Sequence, residues 1–324
     1  MKKVLSTILS CAMCLVLSTP AMAICEAPAE TTNAVPVFSS TSAPSIYSPE
    51  FPDAYILQNG TTEMSISHST TQTVSATVFV EEEYGFDNDG NPITISSRLL
   101  SESEVLEIGL ENFENMEDVR QDAVSELMQT RAAVNGRGSL SISFSGGGTI
   151  SGKNVTYDLN ASASWSPSGW LWTSDRDNNP ASGADYIGVT WSGGYTVSGS
   201  PQINTTTYRS IDDSYFAPPL PPTLCDAVPS AGRVWEFYEY WETFLGANTL
   251  PNHYTNISID MKLVKNNIGD NEAETVMKYI HTFSSTKGSV SITANSSGVV
   301  SGGFSLTGVD KQWSIVCTLT GLKC

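Results

Sequence analysis

Histidine is scarce in this chain, and the common signatures of catalysis are missing from it. His68, His253 and His281 are the only imidazoles in 324 residues. No HExxH, GxSxG or GxxxxGKS spacing occurs, and the one CxxC, Cys11 to Cys14, lies in the apolar run at the N-terminus. A triad built on His253 or His281 would need one serine from a crowded field, and nothing singles one out, so ordinary strand or loop placement is the reading for all three. Positive charge is also short: 16 Lys and Arg stand against 34 Asp and Glu, a net charge of −18. That excludes a nucleic-acid partner, whose phosphates need a Lys/Arg surplus, and simple attraction to anionic membranes. Past the first residues no apolar run approaches the ~20 residues of a membrane helix, so stable membrane insertion is not expected.

The N-terminus carries an export signal. Lys2 and Lys3 precede an apolar run from Val4 to Leu17, and Ala21-Met22-Ala23 offers small residues for cleavage after Ala23. The expected location is therefore secreted and extracellular. Cys11 and Cys14 leave with the signal, and Cys25, Cys225, Cys317 and Cys324 remain. Four thiols allow three pairings. A bridge from Cys225 to Cys317 or Cys324 is favoured over one between Cys317 and Cys324, which would need a chain reversal near Thr320-Gly321, and free buried thiols are the other reading.

Composition shifts sharply between Ser101 and Ser139. From Ile24 to Ala132 there are 19 acids against three bases, a net of −16, and no tryptophan. From Ala133 to Cys324 there are 15 acids against 11 bases, a net of −4, and all seven tryptophans. The division this implies is a signal peptide (1–23), a flexible leader (24–62), an acidic α+β unit (63–134) and a β-rich domain (139–324). The acidic unit reads as a possible pro-region, with processing candidates at Arg131 and Arg137, though a linker between two domains is the preferred reading.

Periodicity supplies the elements. Val74 to Ser97 alternates around a turn at 86–92 and reads as a hairpin. Ser101-x-x-Glu104 is a capping box opening a helix to Gly109, and Met116, Val119, Ala123, Val124, Leu127 and Met128 form the stripe of a second helix. After the junction, Leu140 to Phe144, Val155 to Trp165, Tyr186 to Tyr195, Ile257 to Leu263, Thr275 to Phe283 and Trp313 to Leu319 read as strands, with a turn at Gly146-Gly147-Gly148. The fold class is mainly β: a small acidic α+β unit followed by an antiparallel, sandwich-like domain. One segment breaks the texture. Val234, Phe237, Tyr238, Trp241 and Leu245 fall on one helical stripe, so 234–245 is expected to be an aromatic helix across the sheet.

That segment holds the candidate binding site: Trp235, Glu236, Glu239, Trp241 and Glu242, two ring systems and three carboxylates at helical spacing. Exposed, they would suit a carbohydrate, or its hydrolysis by paired carboxylates; buried, the aromatics are core and the glutamates a solvated face. No metal or cofactor is implied. Asp87-x-Asp89-x-Asn91 and Asp175-x-Asp177-x-Asn179 lack the later bidentate glutamate of a calcium loop and read as Asx-stabilised turns. The Ser/Thr alternation of Ser289 to Leu306 reads as an edge hairpin in preference to a lipid-facing strand pair.

Two short stretches, Asp185-Tyr186-Ile187-Gly188-Val189-Thr190-Trp191-Ser192-Gly193-Gly194 and Tyr279-Ile280-His281-Thr282-Phe283, resemble segments of secreted proteins of Gram-positive bacteria, among them large bacteriocins of the geobacillin type. The resemblance covers residues 140–324 and implies an antibacterial or cell-surface role. It carries over no catalytic residue. The expectation is a secreted, non-enzymatic binding protein of the bacterial cell exterior with an extracellular or cell-surface target; the alternative is carbohydrate binding or hydrolysis on 234–245.

Overall fold

Alternating side chains need a surface to alternate against, and in this chain the surface is one long antiparallel sheet turned back on itself. The computed structural model describes residues 44–66, 69–86, 88, 92–114, 133–166, 180–209, 221–244, 248–269, 271–284, 286–292 and 303–323. In chain order these form β1 (Ser45–Tyr47), β2 (Ile56–Ile66), β3 (Ser69–Phe86), β4 (Pro92–Leu99), α1 (Glu102–Ile108), α2 (Glu111–Glu114), β5 (Val134–Ser151) and β6 (Asn154–Ser166). There follow β7 (Pro180–Trp191), β8 (Thr196–Val197), β9 (Gln202–Arg209), β10 (Thr223–Val228), β11 (Gly232–Phe244), β12 (Asn248–Asn266), β13 (Glu272–Thr282), β14 (Ser289–Ile292), β15 (Phe304–Thr307) and β16 (Gln312–Lys323).

Fourteen strands belong to one sheet, in the order β1-β16-β13-β7-β11-β12-β6-β5-β3-β2, with β10, β4, β8 and β9 pairing off that path. It divides at the β11–β12 hairpin, where Tyr240 pairs with Asn252 and Phe244 with Asn248. One arm holds β1, β16, β13, β7, β11 and β10; the other holds β12, β6, β5, β3 and β2 with their side partners. Both arms contribute to a single core: Val74, Ala76 and Val78 of β3, Leu140, Ile142 and Phe144 of β5, and Tyr157, Leu159 and Trp165 of β6 share it with Ile187 and Trp191 of β7, Tyr279 of β13 and Trp313 of β16. Strand β6 shows the logic, since Val155, Tyr157, Leu159, Ala161, Ala163 and Trp165 point in while the polar residues between them point out.

Two smaller layers cover the outside. The β14–β15 hairpin places Ile292, Phe304 and Leu306 over Tyr186, Val234 and Ile280. Strands β7, β11 and β13 are thus apolar on both faces, which removes the alternation a reader expects of them. At the far edge, α1 and α2 bring Val105 and Phe113 over Phe79 and Leu100. The capping box forms as its spacing predicts: the Glu104 carboxylate accepts from the Ser101 backbone N–H at 2.8 Å and from its hydroxyl at 2.7 Å. Gly109 ends the helix at φ 88°, its N–H donating to the Val105 carbonyl at 2.9 Å.

Several expectations change. The aromatic segment is strand β11, not a helix. Trp235 and Phe237 face the main core while Val234 faces the outer one; with both faces covered, a helical stripe arises by coincidence, and Trp, Phe, Tyr and Val favour strands. The leader expected over 24–62 is ordered in its second half: β1 pairs with β16, β2 with β3, and Glu50 accepts from the Ser314 N–H at 2.9 Å. No separate acidic unit stands apart from the β-rich domain among the described residues. Strand β3 pairs with β5 from Ser69↔Thr149 to Tyr84↔Val134, across the supposed junction, and Val35–Cys324 is one compact unit. The second helical stripe, Met116 to Met128, lies outside the described residues.

The expected disulfide from Cys225 to Cys317 does not form. Both are free thiols. Cys317 is buried in the core between the arms, while Cys225 packs on the outer core and donates to the Val234 carbonyl at 3.3 Å. Burial, then the nearby Glu236 charge, push the Cys225 thiol up to about 12, and burial raises Cys317 as well, so neither is a ready nucleophile. Cys25 and Cys324 lie outside the described residues, as does Arg131. Arg137 sits within β5 and not in a linker, and its Nε donates to Glu81 Oε1 at 3.0 Å.

Glycines 146–148 do not turn the chain either; β5 runs straight through them. A Cβ at Gly146 would collide with the fully buried Tyr157 ring, so the glycine makes room for that aromatic. Gly146→Val is expected to lower the unfolding free energy by about 1–3 kcal/mol through overpacking, measured by urea denaturation. Gly147→Ala, whose new Cβ meets only the Thr71 hydroxyl at 3.0 Å, should cost well under half of that.

Candidate functional site

Period-two alternation puts every second residue of a strand in the core, whatever its chemistry. Glu82 is in phase with Val74, Ala76, Val78 and Val80 on β3, and the structure buries it to 1% exposure. Asp185 on β7 and His281 on β13 are buried in the same way, at 2% and 0%. These three meet. His281 Nε2 lies 3.0 Å from Glu82 Oε1, and Nδ1 lies 3.0 Å from Asp185 Oδ1. Each ring nitrogen thus faces one acid, an arrangement that suits an imidazolium donating to both.

Burial alone works against that charge. The Asp185 carboxylate, its hydrogen bond and those of Glu82 outweigh it and raise the His281 pKa to about 10. The surroundings complete the arrangement. Asp185 also accepts from the Thr282 N–H at 3.0 Å and from the Tyr279 hydroxyl, and Trp165 Nε1 donates to that hydroxyl at 2.9 Å. Trp313 and Trp165 lie against the imidazole with ring centroids at 5.0 Å and 5.5 Å. The cluster joins one arm to the other through residues 199 apart in sequence. No solute reaches groups so enclosed, and the cluster acts as a charged bolt within the frame.

Of the binding residues expected on 234–245, the two whose side chains are described are buried. Trp235 is 3% exposed and offers no ring to a ligand. Glu236 is also buried, and Lys287 Nζ donates to its Oε1 at 3.2 Å. The side chains of Glu239, Trp241 and Glu242 lie outside those described, as do His68, the His253 side chain and the Asp175 turn. Among the described residues no group of His, Cys, Asp and Glu is arranged to hold a metal.

At the α1 edge, a shallow cleft is lined by Glu50, Arg98, Ser101 and Glu104 with Phe51 and Leu99. Three of its charged groups are engaged: Arg98 donates to Glu81 and Glu104 at 2.7 Å each, and Glu50 holds Ser314. Hydrogen bonds from Ser101, backbone first, and from Arg98 lower the Glu104 pKa to about 2. This is an edge clasp, and its half-exposed ion pairs add little stability.

The open surface lies elsewhere, on the outside of β3, β5, β6, β12 and β9. Strand registers align their outward residues in three rows. Thr73, Ser145, Asn160, Asp260 and Gln202 form one; Ser75, Ser143, Ser162, Ser258 and Asn204 the next; Thr77, Ser141, Ser164, Asn256 and Thr206 the third. All fifteen are half-buried or exposed, all are polar, and only Asp260 is charged. Strand geometry spaces them about 4.8 Å across the sheet and about 6.8 Å along it. Neighbours hold one another in place: Thr77 and Ser141 hydroxyls lie 3.1 Å apart, and Asp260 accepts from Asn160 at 2.7 Å and from Asn204 at 3.3 Å. The signal for the face was the register, which no single strand displays.

Comparison with models of known protein families and with curated proteins gives no match.

Proposed function

We propose that this chain is an exported, non-enzymatic binding protein of the bacterial cell exterior, built on a sandwich-like frame that presents the hydroxyl- and amide-bearing face to a cell-surface target. The observation that carries this reading is the face itself: fifteen short polar side chains in register, with one charge among them. Solvated sheet faces usually carry mixed Lys, Glu, Arg and Asp at roughly a quarter to a third of positions. A face of short, mutually hydrogen-bonded groups instead loses little side-chain entropy when it is covered. Export is supported by the N-terminal signal pattern, and a structural role for the ionisable cluster by its enclosure in the core. The burial of Trp235 weighs against the alternative, a carbohydrate site on β11. An antibacterial role rests on the resemblance to large bacteriocins, and growth inhibition by the purified protein tests it.

Fluorescently labelled full-length protein, incubated with whole Gram-positive cells and sedimented with them, is expected to bind saturably and to be displaced by excess unlabelled protein. Sedimentation no greater than that of an unrelated acidic protein of similar size would overturn the binding reading.

A further inference from the structure

Resting on that reading, we propose that the ligand of the hydroxyl face is a neutral polysaccharide of the cell envelope. The charge pattern selects it. The chain carries −18 overall, which repels anionic polymers such as phosphate-bearing wall polymers and nucleic acid. Cationic partners would be drawn to the acidic surface in general; within the three rows only Asp260 is charged, its oxygens accepting from Asn160 and Asn204, and in the row beside them Asp158 pairs with Lys262 at 3.5 Å. What remains is an uncharged partner whose own surface is dense in hydroxyl and amide groups.

Geometry narrows the class. None of the fifteen described row positions is aromatic, so these rows do not stack on single sugar rings, and contact with them comes from many hydrogen bonds spread along a chain. Each such bond contributes modestly because it replaces one to water. Affinity then grows with the number of rows engaged, so long chains bind and short oligosaccharides compete poorly. The cross-strand hydrogen bonds fix the Thr77 and Ser141 hydroxyls and the Asn160 and Asn204 amides before the ligand arrives, which limits the ordering cost. Because no ion pair is made, binding is insensitive to salt.

The test uses the full chain with insoluble neutral glycans (chitin, cellulose, and sacculi freed of anionic polymers) at 0.1 M and 1 M NaCl. Retention on at least one of them, changed less than twofold by salt, is expected. Ser143→Arg/Ser258→Arg should lower that retention at least tenfold with an unchanged unfolding midpoint, whereas Ser143→Thr/Ser258→Thr, which keeps both hydroxyls, should retain it. Cell binding without retention on any neutral glycan would overturn the ligand class and leave the binding reading standing. Retention only on sacculi that still carry anionic polymers, or lost at 1 M NaCl, would overturn it too. Equal retention of the Arg variant, or a salt-stable dimer that the same substitutions dissolve, would overturn the assignment of this face to a glycan.

Discussion

His281→Phe is expected to destabilise the protein by about 3–5 kcal/mol, the cost of leaving buried charge without its partner. Phenylalanine fills the aromatic niche beside Trp313 and Trp165, so loss of packing is small. What fails is the electrostatics: Glu82 and Asp185, at 1% and 2% exposure, are left facing each other's field without the imidazolium. Equilibrium urea unfolding at pH 7 measures the loss. Adding Glu82→Leu to His281→Phe should recover part of it, because one stranded carboxylate is then gone. Full recovery is not expected, since Asp185 must still accept from Tyr279 and the Thr282 N–H. A cost below about 1 kcal/mol for His281→Phe would mean that the three groups do not form a charged cluster.

Alkaline pH should weaken the fold through the same residue. The folded protein holds the His281 proton with a pKa of about 10, against 6.5 for an ordinary imidazole, so over that window it binds more protons than the unfolded chain. The stabilisation is therefore complete below about pH 6.5 and is lost as pH rises through about 10. Its size is several kcal/mol by linkage, at ~1.4 kcal/mol per pH unit between the two values. Thermal unfolding from pH 6 to pH 10 should show a falling midpoint in the wild type and a much shallower slope in His281→Phe. Parallel slopes for the two would show that His281 does not carry the proton.

How much of this could be read from the sequence depended on whether an element has one wet face. The β3–β4 hairpin, the Ser101 capping box, β6 and β16 were legible because polar and apolar residues alternate there, or because a cap has fixed spacing. Strand β11 was not, because the β14–β15 hairpin covers its second face and leaves Val234, Trp235 and Phe237 all buried. The change in composition at Ser101–Ser139 looked like a domain boundary, yet β3 and β5 lie side by side across it; among the described acids before it, Glu81 and Glu104 belong to the edge clasp and Glu82 to the core cluster. Glu82 hid in the run Glu81-Glu82-Glu83, which suggests a solvated stretch until strand alternation sends the middle residue inward. The hydroxyl face was invisible for a different reason. Its five strands are separated in sequence, and only their registers bring Ser75, Ser143, Ser162, Ser258 and Asn204 into one row.

Cell binding by a face variant tests most directly whether that face is the binding surface. Ser143→Arg/Ser258→Arg should unfold within about 2 °C of the wild type, because both substitutions point to solvent, and should sediment with cells at least tenfold less. Wild-type levels of cell binding by a correctly folded double variant would contradict the assignment of the site.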